Sequence, residues 1–241
     1  MYNSKNIKQA LEVYGVKSVL TQNAKMKRSS DQGMHLYNFG IPAFKSQTGL
    51  LTCPNAKQCA VGCYATTGTY KFKASVQAYE NRLKLTQGSD FFDIMVYSID
   101  RLLEKHKNNL NLLLIRVHDS GDFYSPEYQK LWYSIADHYK NNSKIQFYAY
   151  TKMVDQTKQL STIKPSNFRI IYSYGGKQDN LIDTTKEHHS KVFESLDALF
   201  KSGYIDGTHD DTVAALSTEV KIGLVYHGVK SYKNTAWSKV N

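Results

Sequence analysis

Residues 112–127 read LLLIRVHDSGDFYSPE, and this stretch decides the fold. Its first six residues form a short apolar run, which is typical of a strand buried on both faces of a parallel sheet. Ser125, Pro126 and Glu127 then supply a helix N-cap, a proline at the first helical position and an acid in the first turn. The stretch therefore predicts one βα unit, made of a buried strand, a polar turn and a helix.

The same alternation of strand and helix recurs along the chain. Further strands are predicted at residues 145–150, 168–174 and 220–226, and helices at about 72–87, 92–103, 128–139 and 154–163. A last helix is predicted to carry Val192, Phe193, Leu196, Leu199 and Phe200 and to end at Gly203. Because four or five strands are too few for an eight-stranded barrel, we expect an α/β fold with a partial βα barrel, or an open parallel sheet with flanking helices.

Length and composition favour a single domain. The chain has 241 residues, of which 41% are hydrophobic and 22% charged, and these are values of a globular protein. We therefore treat residues 1–241 as one domain. Within it, residues 1–68 form an N-terminal segment with a cysteine-bearing loop, and residues 69–241 carry the βα units.

All three cysteines lie in one short loop, at Cys53, Cys59 and Cys63. Three thiolates so close together can converge on one inorganic centre, whereas three unrelated buried thiols are rarely gathered in this way. A structural zinc ion usually takes four ligands and the loop offers three, so we favour a [4Fe–4S] cluster and keep zinc as the alternative. One iron of that cluster then lacks a cysteine and is open to a side chain, a small molecule or a substrate.

Polar side chains and glycines follow four of the predicted strands where each strand ends, the last of them at Tyr226-His227-Gly228. Since the carboxyl ends of parallel strands meet at one edge of the sheet, we expect these residues to line one pocket. The alternative for the aspartates is a purely structural role, because Asp-Ser-Gly-Asp is good turn chemistry. The residues concerned are His118, Asp119, Asp122, Lys152, Gly175 and Gly176.

These strand-end residues divide by chemistry. Asp119, Asp122 and Lys152 are the candidate catalytic residues. His118 is the candidate fourth metal ligand or proton donor, because an imidazole nitrogen suits iron. Asp119 and Asp122 are the oxygen alternatives for that ligand position.

The charge balance is basic. Lys and Arg number 31 against 21 Asp and Glu, a net charge of +10, which invites a nucleic-acid partner because basic side chains neutralise phosphates. The alternative is a lysine-rich surface without that purpose. No apolar run approaches the length of a membrane span and no signal peptide is evident, so we expect a cytoplasmic protein without a membrane partner.

Six motifs in order make the chain resemble the bacteriophage gene product 88 family. The resemblance runs from about Leu20 to Gly228 and implies a phage or prophage origin, and hence the host cytoplasm, without implying an activity. The motifs are Asn23-Ala24-Lys25, Asn38-Phe39-Gly40-Ile41-Pro42, the cysteine loop from Thr52 to Ala65, His118 to Tyr124, Phe147 to Lys152 and Leu224 to Gly228.

More distantly, the cysteine loop and the βα series are similar to radical S-adenosylmethionine enzymes. Those enzymes hold a cluster through three cysteines at the start of a partial βα barrel, usually spaced C-x3-C-x2-C, whereas this chain has C-x5-C-x3-C. Their glycine-rich motif for the cofactor's amino group has only Gly175-Gly176 as a loose counterpart. The resemblance implies S-adenosylmethionine as an external ligand near these glycines.

Three functions follow as hypotheses. The leading one is a phage-type iron–sulfur protein, with redox or radical activity toward an unknown small molecule or redox partner. The second is a zinc-stabilised module that binds nucleic acid through its positive charge and its tyrosines. The third is a metal-dependent nuclease centred on Asp119 and Asp122, with structural cysteines.

Overall fold

A computed structural model describes residues 4–30 and 33–226. Its centre is a single sheet of parallel strands in the order β1-β2-β3-β4-β5-β7-β6. With β1 and β6 at its two edges, the sheet is an open, curled half-barrel, which confirms the predicted α/β class. The strands are β1 (Met34–Phe39), β2 (Leu112–Val117), β3 (Ile145–Thr151), β4 (Phe168–Ser173), β5 (His189–Phe193), β6 (Ile205–Asp206) and β7 (Lys221–Val225).

Helices flank the sheet and fill the crossovers that parallel strands require. Among the described residues, no helix combines the length and the apolar character needed to cross a membrane. The helices are α1 (Ser4–Tyr14), α2 (Ala24–Ser29), α3 (Gln58–Val61), α4 (Lys73–Thr86), α5 (Phe91–His106), α6 (Pro126–His138), α7 (Val154–Gln159), α8 (Leu196–Lys201) and α9 (Asp211–Leu216). Short 3-10 turns cover Tyr64–Thr66, Gly68–Lys71, Ser161–Ile163 and Asp179–Leu181.

The βα unit that opened the sequence forms as predicted. β2 covers Leu112–Val117, and the Ser125 hydroxyl accepts a hydrogen bond from the Tyr128 N–H at 3.2 Å as the N-cap of α6. Pro126 occupies the first turn, where its missing N–H costs nothing because that group would lack a helical partner anyway. Local sequence signals therefore determine both ends of this unit.

The two faces of the sheet have different partners, because successive side chains of a strand point to opposite sides. On one face, Ile115 and Phe147 join the large core that α5 and α6 cover with Phe91 and Trp132. The other face forms a smaller core: Leu36, Leu114, Tyr148, Ile171 and Ile222 pack there against Met26 of α2 and Ala214 and Ala215 of α9. α2 and α9 thus close the concave side of the half-barrel below the strand ends.

The sequence analysis did not predict three of the strands, β1, β5 and β6. The predicted helix with Val192 and Phe193 is wrong: these residues end β5, and α8 begins only at Leu196 after the Ser195 N-cap. The apolar spacing across this turn mimics a helical period, so pattern alone could not separate the two elements. β1 lies inside the 1–68 segment and pairs with β2, so that segment belongs to the same sheet.

Close packing at Gly223 gives a test of the fold. A Cβ at Gly223 in β7 would lie 2.4 Å from Cγ of Leu199 in α8. We expect Gly223→Ala to lower the free energy of unfolding by about 1–3 kcal/mol through overpacking, measured by urea denaturation. Leu199→Ala alone leaves a cavity, but the double variant should lose less stability than the two single changes added together. If the stability losses of the two single variants simply add in the double variant, the contact between residues 199 and 223 is not the cause of the destabilisation.

Candidate functional site

The three cysteines line one cavity of about 160 Å³ at the carboxyl ends of β2, β3 and β4. All three are half-buried, and all three are free thiols. The structure therefore brings the cysteine loop to the edge of the sheet where the strand-end residues were expected. The predicted residues that share this cavity with the cysteines are His118, Asp119, Asp122 and Lys152.

Backbone hydrogen bonds hold the cysteine loop against β4. Ala56 forms an antiparallel bridge with Gly176. The N–H groups of Lys57 and Cys59 both donate to the Gly175 carbonyl at 3.1 Å. These bonds attach the loop, at and just before Cys59, to the two glycines that follow β4.

The backbone N–H groups of Gly175 and Gly176 and the Gly175 carbonyl already have hydrogen-bond partners within the protein. Their N–H groups donate to the two carboxylate oxygens of Asp179, each at 2.9 Å. Gly175 has φ +93°, in the left-handed region that favours glycine. Their predicted role in cofactor binding stays a prediction, and the structure gives their N–H groups and the Gly175 carbonyl partners within the protein.

Each thiol has a different polar environment. The Phe44 N–H donates to Sγ of Cys53 at 3.4 Å, from a residue in the left-handed region at φ +60°. Burial, reinforced by the nearby Asp122 carboxylate, raises the pKa of Cys53 to about 12. A hydrogen bond from the Cys63 thiol, together with Lys152, lowers the pKa of Cys59, and the same pairing raises the pKa of Cys63.

Lys152 connects the cysteine loop to the end of β4. Its Nζ donates to the Ser173 hydroxyl at 2.7 Å, to the Tyr174 carbonyl at 3.0 Å and to the Ser173 carbonyl at 3.2 Å. Its positive charge also helps to lower the pKa of Cys59. Only 8% of the residue is exposed, so its ammonium group is a fixed positive charge beside the thiols.

Asp122 is a buried clamp. Oδ1 accepts from the Thr151 hydroxyl at 2.6 Å and from the Phe123 N–H at 2.8 Å, and Oδ2 accepts from the Lys152 N–H at 2.9 Å. Its own N–H donates to the Thr52 carbonyl, next to Cys53. Burial raises the pKa of Asp122, while these hydrogen bonds act in the opposite direction. Both oxygens are engaged, which leaves Asp122 poorly disposed to bind a metal for nuclease chemistry.

Asp119 has one free oxygen. Oδ2 accepts from the Tyr79 hydroxyl at 3.0 Å and from the Tyr70 hydroxyl at 3.4 Å, and its carbonyl accepts from Tyr64. Oδ1 is buried and has no hydrogen-bond partner among the described residues. A Cβ on Gly40 would collide with this atom, so a glycine is needed there. The Asp119 side chain also borders a second cavity, of about 190 Å³, lined mainly by hydroxyl and amide groups.

His118 ends β2 in a left-handed conformation, at φ +69°. Its Nε2 lies 2.9 Å from the Tyr128 hydroxyl, and its ring packs edge-on against Phe123 and Trp132. Nδ1 is buried and has no partner among the described residues. Burial and the nearby Arg116 lower the pKa of His118 to about 3, so the ring is neutral. Its role as a fourth ligand stays a prediction.

Sequence reasoning missed a buried ion group beneath the cavity. Asp211 lies 3.1 Å from Nζ of Lys25 and 3.3 Å from a terminal nitrogen of Arg116. Arg116 lines the cavity, and its guanidinium lies over the Tyr150 ring. Burial alone would lower the pKa of Arg116, but Asp211 and the neighbouring phenols raise it. No local signal ties residue 211 to residue 116, since only the curl of the sheet brings α9 to β2.

The side chains that bind metals do not form a ready-made metal site in the described part of the chain. Within residues 4–30 and 33–226, no group of three or more His, Cys, Asp and Glu side chains is placed to hold a metal ion. The cluster and the zinc alternative both stay predictions.

Fold and site together define a class: an α/β half-barrel protein whose strand ends are covered by a three-cysteine loop. The profile of the family described as Gene product 88 matches residues 17–232, and the chain belongs to that family. The Gene 88 proteins of Mycobacterium phages L5 and D29 are each 25% identical over 169 residues, which cover 62% of this chain and 68% of the relative. No solved structure matches the chain significantly. His227 and Gly228, at the end of the last motif, lie outside the described residues.

The clamp at Asp122 predicts a loss of stability. Asp122→Asn replaces an acceptor with an amide N–H₂ and leaves a buried donor unpaired, so we expect the free energy of unfolding to fall by about 2–3 kcal/mol. Asp210→Asn is the control, since asparagine replaces aspartate well at the exposed N-cap of α9. Unchanged stability would mean that Asp122 lines the pocket without stabilising the fold.

The lowered pKa of His118 predicts that the folded protein loses stability in acid. Its pKa of about 3 in the folded protein is below the ordinary value of 6.5, so only the unfolded state takes up a proton between these values. Stability should therefore fall with falling pH, by about 2 kcal/mol from pH 7 to pH 5. His118→Asn removes the titrating ring and tolerates the left-handed backbone. Urea denaturation at both pH values should show a smaller drop for the variant; an equal drop would exclude His118 as its source.

Proposed function

We propose that this protein holds a [4Fe–4S] cluster through Cys53, Cys59 and Cys63, with one iron open to a ligand in the cavity. The observation that carries the proposal is that every cysteine of the chain lines the same cavity at the ligand-binding edge of a parallel sheet. The free thiols fit the reducing interior of a host cell, where we place the protein.

The surrounding residues suit a thiolate-bound centre. The Phe44 N–H directed at Cys53 and the ammonium of Lys152 beside Cys59 both offset the negative charge that thiolates carry. Hydrogen bonds and nearby charges of this kind set the reduction potential of an iron–sulfur centre. The protein thus supplies fixed donors that need not reorganise when the charge of the centre changes.

We expect the fourth iron to bind an external ligand. Asp122 has both oxygens engaged, and Nε2 of His118 is paired with Tyr128, so Nδ1 of His118, which has no partner among the described residues, is the nitrogen left as an internal alternative. We propose a small molecule at this position, with S-adenosylmethionine as the first candidate, and redox or radical chemistry as the activity. Asp119 Oδ1, buried and without a partner among the described residues, is the group available to such a ligand.

Metal and sulfide analysis tests the cluster. Protein purified without oxygen should be brown and contain about four irons and four sulfides per chain. Cys59→Ser should lose most of both, since a hydroxyl is a poor, hard ligand, whereas Ala60→Ser in the same short helix should keep them. Stoichiometric zinc without sulfide would instead support the zinc alternative, and no metal at all would end the proposal. Adding S-adenosylmethionine to the reduced protein should then shift its electron paramagnetic resonance signal, and an unchanged signal would exclude this ligand.

A further inference from the structure

The segment that carries the cysteines has no acidic residue. Between Asp31 and Glu80 the sequence contains no Asp or Glu, although acids are common in the rest of the chain. The same segment holds four lysines, at Lys45, Lys57, Lys71 and Lys73, and all four are exposed. This segment therefore contributes +4 to the net charge of +10, and the Glu80 carboxylate at its end accepts a hydrogen bond from the Gln47 N–H.

Exposed apolar side chains lie among these lysines. Phe72 is 64% exposed and Val61 57% exposed, and Leu51 and Phe44 are exposed at 44% and 40%. Large apolar side chains grouped on a surface commonly mark an interaction site. We call the four lysines and these four apolar residues the basic apolar face.

The basic apolar face adjoins the cysteines. Val61 stands between Cys59 and Cys63 in the loop, and Phe44 contacts Cys53 through its N–H. Lys45 and Leu51 are bridged partners in the small hairpin that leads into Cys53.

We propose that the basic apolar face docks an acidic electron-transfer protein. This inference rests on the proposed function, since the electron needs an acceptor at the cysteines. The reduced flavin or iron–sulfur group of the partner loses one electron, and the centre held by the cysteines gains it, with no other bond made or broken. Lysines around an apolar patch speed such encounters by steering, and the patch supplies contact at short range. Electron-transfer encounters are small and weak, so a few exposed apolar residues are enough for one.

A protein fits this face better than a nucleic acid does. Interfaces with nucleic acid are more polar, and Arg, the usual reader of phosphates and guanine, is absent from the segment between Asp31 and Glu80. Exposed Val61 and Leu51 offer nothing to a phosphate backbone or to a stacked base. Protein interfaces, in contrast, combine an apolar centre with a charged rim.

The test compares two charge reversals of equal size. One variant changes Lys45, Lys57, Lys71 and Lys73 to Glu; the control changes Lys8, Lys17, Lys130 and Lys144, which are exposed elsewhere on the molecule, to Glu. Binding of an acidic flavodoxin is measured by calorimetry for both variants and the wild type, at low and at high salt. We expect the first variant to bind at least roughly tenfold more weakly and the control to stay within about threefold. If the first variant fails to fold, the same four lysines are changed to Gln.

The outcomes separate this inference from the proposed function. Iron and sulfide content, measured on the same preparations, reports the cluster independently of docking. Protein that holds the cluster but does not bind flavodoxin, or binds it equally in both variants, overturns the docking proposal alone. Binding of a single-stranded oligonucleotide that only the first variant loses, without flavodoxin binding, would assign the face to nucleic acid and overturn it as well. In stopped-flow reduction of cluster-loaded protein, the first variant should be slower than the control.

Discussion

Asp122 joins the segments that build the cavity through its buried carboxylate and its backbone N–H. Its oxygens hold the end of β3 through Thr151 and the Lys152 N–H, and its own N–H holds the cysteine loop through the Thr52 carbonyl. A buried carboxylate is costly unless its hydrogen bonds are complete, and here each oxygen has a partner. The same residue that holds the loop through its N–H therefore also fixes, through its carboxylate, the backbone that carries the Lys152 side chain.

The two basic side chains that line the cavity, Arg116 and Lys152, are each held by partners within the protein. Lys152 is held by carbonyls at the end of β4, and Arg116 is held by Asp211 below. Removing one partner of a buried pair leaves an uncompensated charge, so such pairs resist rearrangement. A centre bound by the thiols would meet fixed dipoles and charges, and little reorganisation would accompany a change of its charge.

The parts of the molecule that sequence could predict are those with local signals. β2 and α6 follow from an apolar run and from the Ser125 cap, and the meeting of the cysteines with the strand ends follows from the general geometry of parallel sheets. The β5–α8 boundary could not be predicted, because apolar residues on both sides of the turn share a helical spacing. Asp211 could not be predicted either, since its approach to Arg116 depends on how far the whole sheet curls.

The cysteine spacing has a structural reason that bears on what the cavity can bind. Cys59 lies in α3, which ends at Val61, and Cys63 follows the Gly62 cap with extended backbone, so the chain turns between these two thiols. The longer gap from Cys53 to Cys59 provides the residues that bridge to Gly176 and bond to Gly175. A gap of three residues, usual in radical S-adenosylmethionine enzymes, would leave too few residues for this anchor. Because the anchor and Asp179 occupy these glycines, a ligand at an open iron must take its hydrogen bonds from other cavity walls. Asp119 Oδ1 and Arg116 Nε, both buried and without a partner among the described residues, are the groups placed to provide them.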